Sequence, residues 1–297
     1  MKSLLEVIAD AESRAVAVGH FNISDITALK AITRAAKELN VPVIIGTSEG
    51  EVEFIGFKQA AALVGSLREE GYSVFLNADH FRSLESVKQA VGAGYDSIIF
   101  DAANLSLEEN IKKTKEAVDY VKSVSASRRA DILVEGELGY IGTSSKVLEK
   151  MPEGAAVTET TMTKPEEAKR FVEETGVDLF APAVGNIHGI VKEGEPRLDI
   201  GRIAAIKQAL RQAQGKPVPL VLHGGSGVSN NDFRAAIAAG ISVIHINTEI
   251  RIDLREGLEE ALEKSPEETT HYKLLPEAEE EIYETVLARL KLFNNLT

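Results

Sequence analysis

The chain of 297 residues contains no cysteine and no tryptophan. Without cysteine there is no disulfide, no thiolate nucleophile and no Cys-ligated zinc, which suits a reducing compartment. Basic residues are few, 33 against 46 acidic, and the net charge is −13. A nucleic-acid-binding surface needs a basic patch, and "SRRAD" near residue 128 is too short to make one. No apolar run approaches the roughly 20 residues of a membrane span. The opening "MKSLLEVIADAES" mixes acids with apolar residues and lacks a small-residue cleavage site, so it reads as an amphipathic helix rather than a signal peptide. These absences leave the expectation of a soluble, cytoplasmic protein with neither nucleic acid nor membrane as partner.

What is present is a regular alternation. Short apolar, β-branched runs stand at 15–19, 42–47, 73–79, 97–101, 132–138, 177–184, 219–223 and 241–247. Their near-continuous hydrophobicity marks strands buried on both faces, as in a parallel sheet. Between them lie helical patterns at 25–39, 57–70, 83–92, 106–124, 163–175, 199–213 and 230–239. Ser24, Ser83, Ser106, Asp199 and Ser229 stand where caps belong. Eight strands alternating with helices, without a second composition regime, predict an α/β fold of a single domain over 1–297. That fold is a (β/α)8 TIM barrel over about 1–250 with a C-terminal helical extension over about 251–297. An open doubly wound sheet is the rival. The polar segment 139–162 follows the fifth strand, where a lid would sit, and the extension is expected under the barrel or against a partner subunit.

Five of the six histidines (His20, His80, His188, His223 and His245, but not His271) fall at or just past the carboxyl end of an expected strand. In a barrel those ends converge on one mouth, where active sites are built. Imidazole is the commonest metal ligand, and three leave a coordination position for substrate. "GNIHG" (185–189) and "HGGSG" (223–227) pair histidine with glycine, which lets backbone N–H groups approach an anion closely. Ser226 adds a hydroxyl, and the helix opening at Ser229 presents an N-terminus suited to phosphate. "VFLNADHF" (74–81) ends in Asp79 and His80, neighbours that a regular strand would aim at opposite faces. Both serve one site only if the strand ends there and the chain turns.

"ADH", "EGELG", "GNIHG", "LHGGSG" and "INTE" follow one another, from "FN" at 21–22 through about residue 250, in a way similar to class II, zinc-dependent fructose-bisphosphate aldolases and their tagatose-bisphosphate relatives. The resemblance implies His80, His188 and His223 as ligands of a catalytic Zn2+ or other divalent metal, with Asp79 as acid/base at the aldehyde-derived oxygen. It implies Asp101 and Glu137 as carboxylates that flank the metal and can hold a second ion. Gly189, Gly224, Ser226, Asn247 and Thr248 would cradle a substrate phosphate and a monovalent cation, and Asn22 and Ser48 would contact substrate. The implied partner is a small sugar phosphate, and the implied assembly a homodimer or homotetramer. Splitting a ketose between C3 and C4 needs an electron sink, supplied by such a metal or by a Schiff-base lysine. No lysine falls in an expected strand, which disfavours the second route.

The sequence also departs from that family. Ser144 and Ser145 of "GTSSK" stand where an acidic pair follows "ELG", leaving Glu149 or Glu153 as substitutes or as solvated loop residues. His245 stands where the family has asparagine. A role as general base, hydrogen-bond donor or extra ligand is expected of it, against a structural histidine. His20 is open between function and structure. "FDAAN" and "HFRS" bring Phe81 and small residues near the mouth. The expected function is reversible cleavage of fructose 1,6-bisphosphate to dihydroxyacetone phosphate and glyceraldehyde 3-phosphate. The alternatives are tagatose 1,6-bisphosphate or another sugar phosphate, a sugar-phosphate-binding paralogue with impaired catalysis, and a metal hydrolase, for which the first strand lacks a His-x-His.

Overall fold

The computed structural model describes residues 2–128, 131–142, 146–151, 153–155, 157–192, 197–213 and 217–297. Its strands are β1 (Val18–Asn22), β2 (Val43–Ser48), β3 (Val74–Phe81), β4 (Ser97–Phe100), β5 (Leu133–Leu138), β6 (Val147–Leu148), β7 (Leu179–Pro182), β8 (Ile190–Val191), β9 (Leu220–Leu222) and β10 (Ile241–Ile246). Eight of them close in the order β1-β10-β9-β7-β5-β4-β3-β2, and every pair in that ring is parallel. The fold is a (β/α)8 barrel. Its helices are α1 (Leu4–Ser13), α2 (Ile26–Leu39), α3 (Glu49–Ile55), α4 (Phe57–Glu69), α5 (Leu84–Ala93), α6 (Leu107–Arg128), α7 (Pro165–Thr175), α8 (Ile200–Arg211), α9 (Asn230–Ala239), α10 (Thr248–Lys264) and α11 (His271–Phe293).

Strand alternation explains how the interior is filled. Val18, Ile44, Phe75, Leu133, Leu179, Val221 and Val243 form an apolar layer with Leu4, Val7, Ile8 and Ala11 of α1. The amphipathic first helix is therefore the floor of the barrel. Two residues further along five of these strands, on the same inward side, the side chains turn polar: His20, Asn77, Glu135, His223 and His245 are all buried. Another step up come Asn22, Asp79 and Glu137, also buried. The polar interior thus begins one layer below the mouth.

Four local expectations change. The first strand forms at 18–22 rather than 15–19, because Ala17 donates its N–H to the Phe293 carbonyl at 3.0 Å and residues 15–17 connect α1 to the wall. Asp25, not Ser24, caps α2 through Thr27 and Ala28. Helix α3 was not expected; Ser48 and Glu51 form its capping box. The C-terminal helices lie neither beneath the barrel nor apart from it. Lys30 and Arg34 of α2 pair with Glu279 and Glu280 of α11, Tyr283 meets Glu38, and Phe293 is buried against Phe233 of α9. The extension completes the outer wall. No helix among the described residues is long and apolar enough to cross a membrane.

Candidate active site

At the mouth lies a cavity of about 240 Å³. It is lined by Asn22, Ser48, Asp79, His80, His188, Gly189, His223, Gly224, Ser226, His245, Asn247 and Thr248, twelve of the fourteen expected site residues. Asp101 and Glu137 line a neighbouring hollow instead.

Asp79 and His80 reach one site by a device other than the expected strand end. Strand β3 continues to Phe81, but His80 adopts φ +54° and the pairing with β4 slips between Ala78 and Phe81. A bulge re-aims a side chain that a regular strand would send outward. The left-handed conformation is costly for a residue with a Cβ, and such strain clusters at functional positions.

Three imidazoles meet here. The ring centroids of His80 and His188 are 4.7 Å apart, those of His80 and His223 4.6 Å, and those of His188 and His223 6.0 Å. Each has an oxygen on its remote nitrogen. Nδ1 of His80 meets Asp101 Oδ2 at 3.3 Å, with Glu137 Oε2 also at 3.3 Å. Nδ1 of His188 donates to the Gly142 carbonyl at 2.7 Å, and Nε2 of His223 shares a hydrogen with Glu135 Oε1 at 2.7 Å. These partners hold the ring orientations from outside and turn the second nitrogen of each ring inward, the arrangement that supports metal-bound histidine. Nε2 of His80 lies 2.8 Å from Nδ1 of His223. Two imidazole nitrogens so close need a positive centre between them, a proton or a metal cation. The donor set fits a divalent metal of the borderline class. Asp101 and Glu137 touch the outer nitrogen of His80 and so brace that ring; together with it they make a second group able to hold a cation.

The electrostatics favour a positive charge at this place. Burial alone would depress His80, but Asp79, Glu137 and Asp101 outweigh it and raise it to about 10. Burial pushes Glu137 up to about 8, with Asp101 and Asp79 adding to it against the opposing pull of His80. Burial takes His188 down to about 4, with His80 in the same direction. Asp79 is held well below the usual carboxylate range: burial works against ionisation, and His80, His245 and His20 overcome it. Burial keeps His245 low, against the pull of Asp79. Its Nδ1 makes a long contact of 3.5 Å with Asp79 Oδ1.

The glycine-rich turns are close-packed. A Cβ on Gly224, which has φ +60°, would sit 2.1 Å from the Ile187 carbonyl oxygen. Asn186 ties the two turns together by donating to the His223 carbonyl at 2.9 Å. The helix N-terminus at the cavity is not the expected one. Ser229 caps α9 itself through Asp232, whereas Asn247 and Thr248 at the start of α10 line the cavity. Ser226 Oγ accepts from the N–H groups of Asn247 and Glu249, both at 3.3 Å.

Other expectations fall differently. His20 is fully buried within β1, not at its end, as register partner of His245. Its Nε2 takes a hydrogen bond from Asn77 at 3.0 Å, and Asn77 is anchored by Ser97 at 2.7 Å. Ser144 and Ser145 lie outside the described residues. Part of the segment that follows is tied down: β6 pairs with β8, and exposed Glu149 holds Lys192 at 2.7 Å. Sequence reasoning passed over Glu49, Glu51, Arg82, Glu135 and Arg251. Glu135 was legible, two residues before Glu137 and hence on the same strand face. Arg251, four residues after Asn247, was legible once α10 was placed. Glu51 and Arg82 carried no periodic signal.

A histidine cluster at the mouth of a barrel defines a candidate metal-dependent enzyme. Residues 2–296 match the family model for class II fructose-bisphosphate aldolase. A probable fructose-bisphosphate aldolase of Bacillus subtilis is 34% identical, over 99% of this chain and 97% of that protein. The fructose-bisphosphate aldolase of Staphylococcus aureus is 34% identical, over 98% and 96%. The crystal structure of the YdjI aldolase from Escherichia coli K12 superposes with a TM-score of 0.79 at 32% identity, covering 98% of this chain and 96% of that one. The chain belongs to the class II fructose-bisphosphate aldolase family, whose members are metal-dependent enzymes acting on sugar phosphates.

Proposed function

We propose that the enzyme reversibly cleaves fructose 1,6-bisphosphate into dihydroxyacetone phosphate and glyceraldehyde 3-phosphate, with zinc as its metal. The observation that carries this reading is the convergence of His80, His188 and His223, each with its outer nitrogen already satisfied by an oxygen. When bound by these three, a divalent cation acts as the electron sink for the ketone half of the substrate. Asp79, ionised and beside the cluster, takes the C4 hydroxyl proton during cleavage and returns it during condensation. His245 is low enough in basicity to be neutral, and it stands ready to move the proton at the donor carbon that a loop carboxylate handles elsewhere in the family. The start of α10, with Gly189, Gly224, Ser226, Asn247 and Thr248, holds one phosphate and a monovalent cation beside it. Asn22 and Ser48 orient the sugar hydroxyls.

The test is incubation of the purified protein with fructose 1,6-bisphosphate, with and without a chelator, following triose phosphate release. Chelator-sensitive release, restored by added Zn2+, is the expected result. Binding without turnover, or turnover indifferent to the chelator, removes the proposal. Tagatose 1,6-bisphosphate run in parallel reads the preference at C4.

A further inference from the structure

Behind Asn22 stands a buried carboxylate that the reaction above leaves unused. Glu51 is 7% exposed in the first turn of α3. Its Oε2 accepts from the Ser48 N–H at 2.8 Å and from Asn22 Nδ2 at 2.8 Å, while Oε1 accepts from Arg251 at 2.6 Å. Asn22 Nδ2 also donates to Asp79 Oδ2 at 2.9 Å. One NH2 group therefore spans two carboxylates, and its two hydrogens are both used.

This arrangement has one orientation. If the amide turned over, Asn22 Oδ1 would face two carboxylate oxygens with no proton between them. Asn22 Oδ1 itself has no donor. Arg251, half-exposed on the cavity wall, supplies the positive charge that lets Glu51 sit so near Asp79. The result is asymmetry at Asp79: Oδ2 is tied to Asn22 at 2.9 Å, whereas Oδ1 has only the long contacts to His245 Nδ1 at 3.5 Å and His80 Nε2 at 3.8 Å and stays open to a substrate proton.

We propose that Glu51 is a positioning residue for proton transfer at Asp79, acting through the Asn22 amide and held in place by Arg251. The inference rests on Asp79 as the acid/base of the aldol step. In cleavage the C4 hydroxyl proton passes to Asp79 Oδ1, the C4–O bond becomes a carbonyl, and the electron pair of the C3–C4 bond stays with the ketone half. Condensation reverses each transfer. Glu51 determines which Asp79 oxygen is free to take part.

The experiment compares Glu51→Gln with the parent in two half-reactions and one spectrum. Glutamine keeps an acceptor for the Ser48 N–H, so the α3 cap persists. Cleavage of fructose 1,6-bisphosphate is expected to slow about tenfold in kcat, the scale of losing a supporting contact. Solvent exchange of the carbon-bound proton of dihydroxyacetone phosphate, which makes no use of the aldehyde oxygen, is expected to stay within about twofold. The side-chain amide signal of Asn22 in selectively labelled protein is expected to shift and to exchange its protons faster. Arg251→Met, which leaves the cap untouched, is expected to move the same signal. Equal slowing of cleavage and exchange, or slowing of neither, overturns the proposal. An Asn22 signal indifferent to both substitutions overturns it whether or not a sugar is turned over. Asp79→Ala separates the two readings: retained cleavage there removes Asp79 as acid/base, whereas lost cleavage there with an unaffected Glu51→Gln removes only the inference about Glu51.

Discussion

The rings of His20 and His245 lie face to face, with centroids 3.5 Å apart and planes within 7°. The lone pairs of near-parallel stacked rings lie in separate planes, which disfavours their convergence on one cation, although Asp79 is close enough to complete a triad with them. The stack continues to His223, 4.0 Å from His245 at 29°. His20 is thus a buttress beneath the site. Burial, reinforced by His245, holds it well below the usual histidine range and keeps it uncharged against its neighbour.

Space for that buttress comes from Gly46. A Cβ there would fall 2.2 Å from Cε1 and 2.5 Å from Nε2 of His20. Gly46→Ala is expected to cost about 1–3 kcal/mol, the usual range for overpacking a filled interior. Most of that should be recovered in Gly46→Ala with His20→Ala, where the new methyl meets an empty space. Denaturant unfolding of the four proteins of the cycle measures the coupling. Additive costs would show that the clash is relieved elsewhere.

The ligand assignment predicts a sharp split between binding and chemistry. His223→Ala removes one of three inward nitrogens and is expected to lose bound metal and activity together. Asp79→Ala leaves all three and should retain metal while turnover falls about a hundredfold or more, the scale of a lost acid/base. Elemental analysis of dialysed protein beside cleavage assays reads both. Metal retained at full stoichiometry in His223→Ala would break the assignment.

His245 has a different signature. If it moves the proton at the donor carbon, His245→Ala slows solvent exchange into dihydroxyacetone phosphate by about a hundredfold while the metal stays bound. Exchange at the parent rate would return His245 to a packing role between His20 and His223.

Much of this arrangement was written in the sequence, for reasons that differ by element. Strands buried on both faces, such as β2 and β10, cannot hide their hydrophobic runs. Histidines beside glycines stand out because those turns tolerate little else: at Gly224 a side chain would strike the Ile187 carbonyl. The rest was hidden by long-range partnership. His20 looks like a strand-end residue until Ala17 is seen bonded to Phe293 at the other end of the chain. Glu51 looks like a helix-cap acid until Arg251 arrives from 200 positions away. The bulge at His80 has no local mark, because a left-handed histidine leaves no trace in composition.

Away from the chemistry, a partly buried carboxyl on α10 ties stability to pH. Asp253 of α10 is raised to about 6 by burial, with Glu249, Glu281 and Glu256 adding to it against a hydrogen bond from Thr285. A carboxyl whose folded value exceeds its unfolded one binds its proton more tightly in the native state. It therefore favours folding most below about 4, near the unfolded value, and that contribution is lost as pH rises through about 6. Above that range the charged group is a burden on the α10–α11 contact. Asp253→Asn is expected to raise stability by about 1 kcal/mol at neutral pH, discounted from the full shift because the site is only partly buried. In a domain of this size that is about 2–4 °C in Tm. At pH 4 the carboxyl is protonated in the native state and about half protonated in the unfolded one, so most of the variant's advantage should be gone. Thermal unfolding of the two proteins at both pH values decides the matter: a gain that persists unchanged at pH 4 would trace the effect to packing rather than to charge.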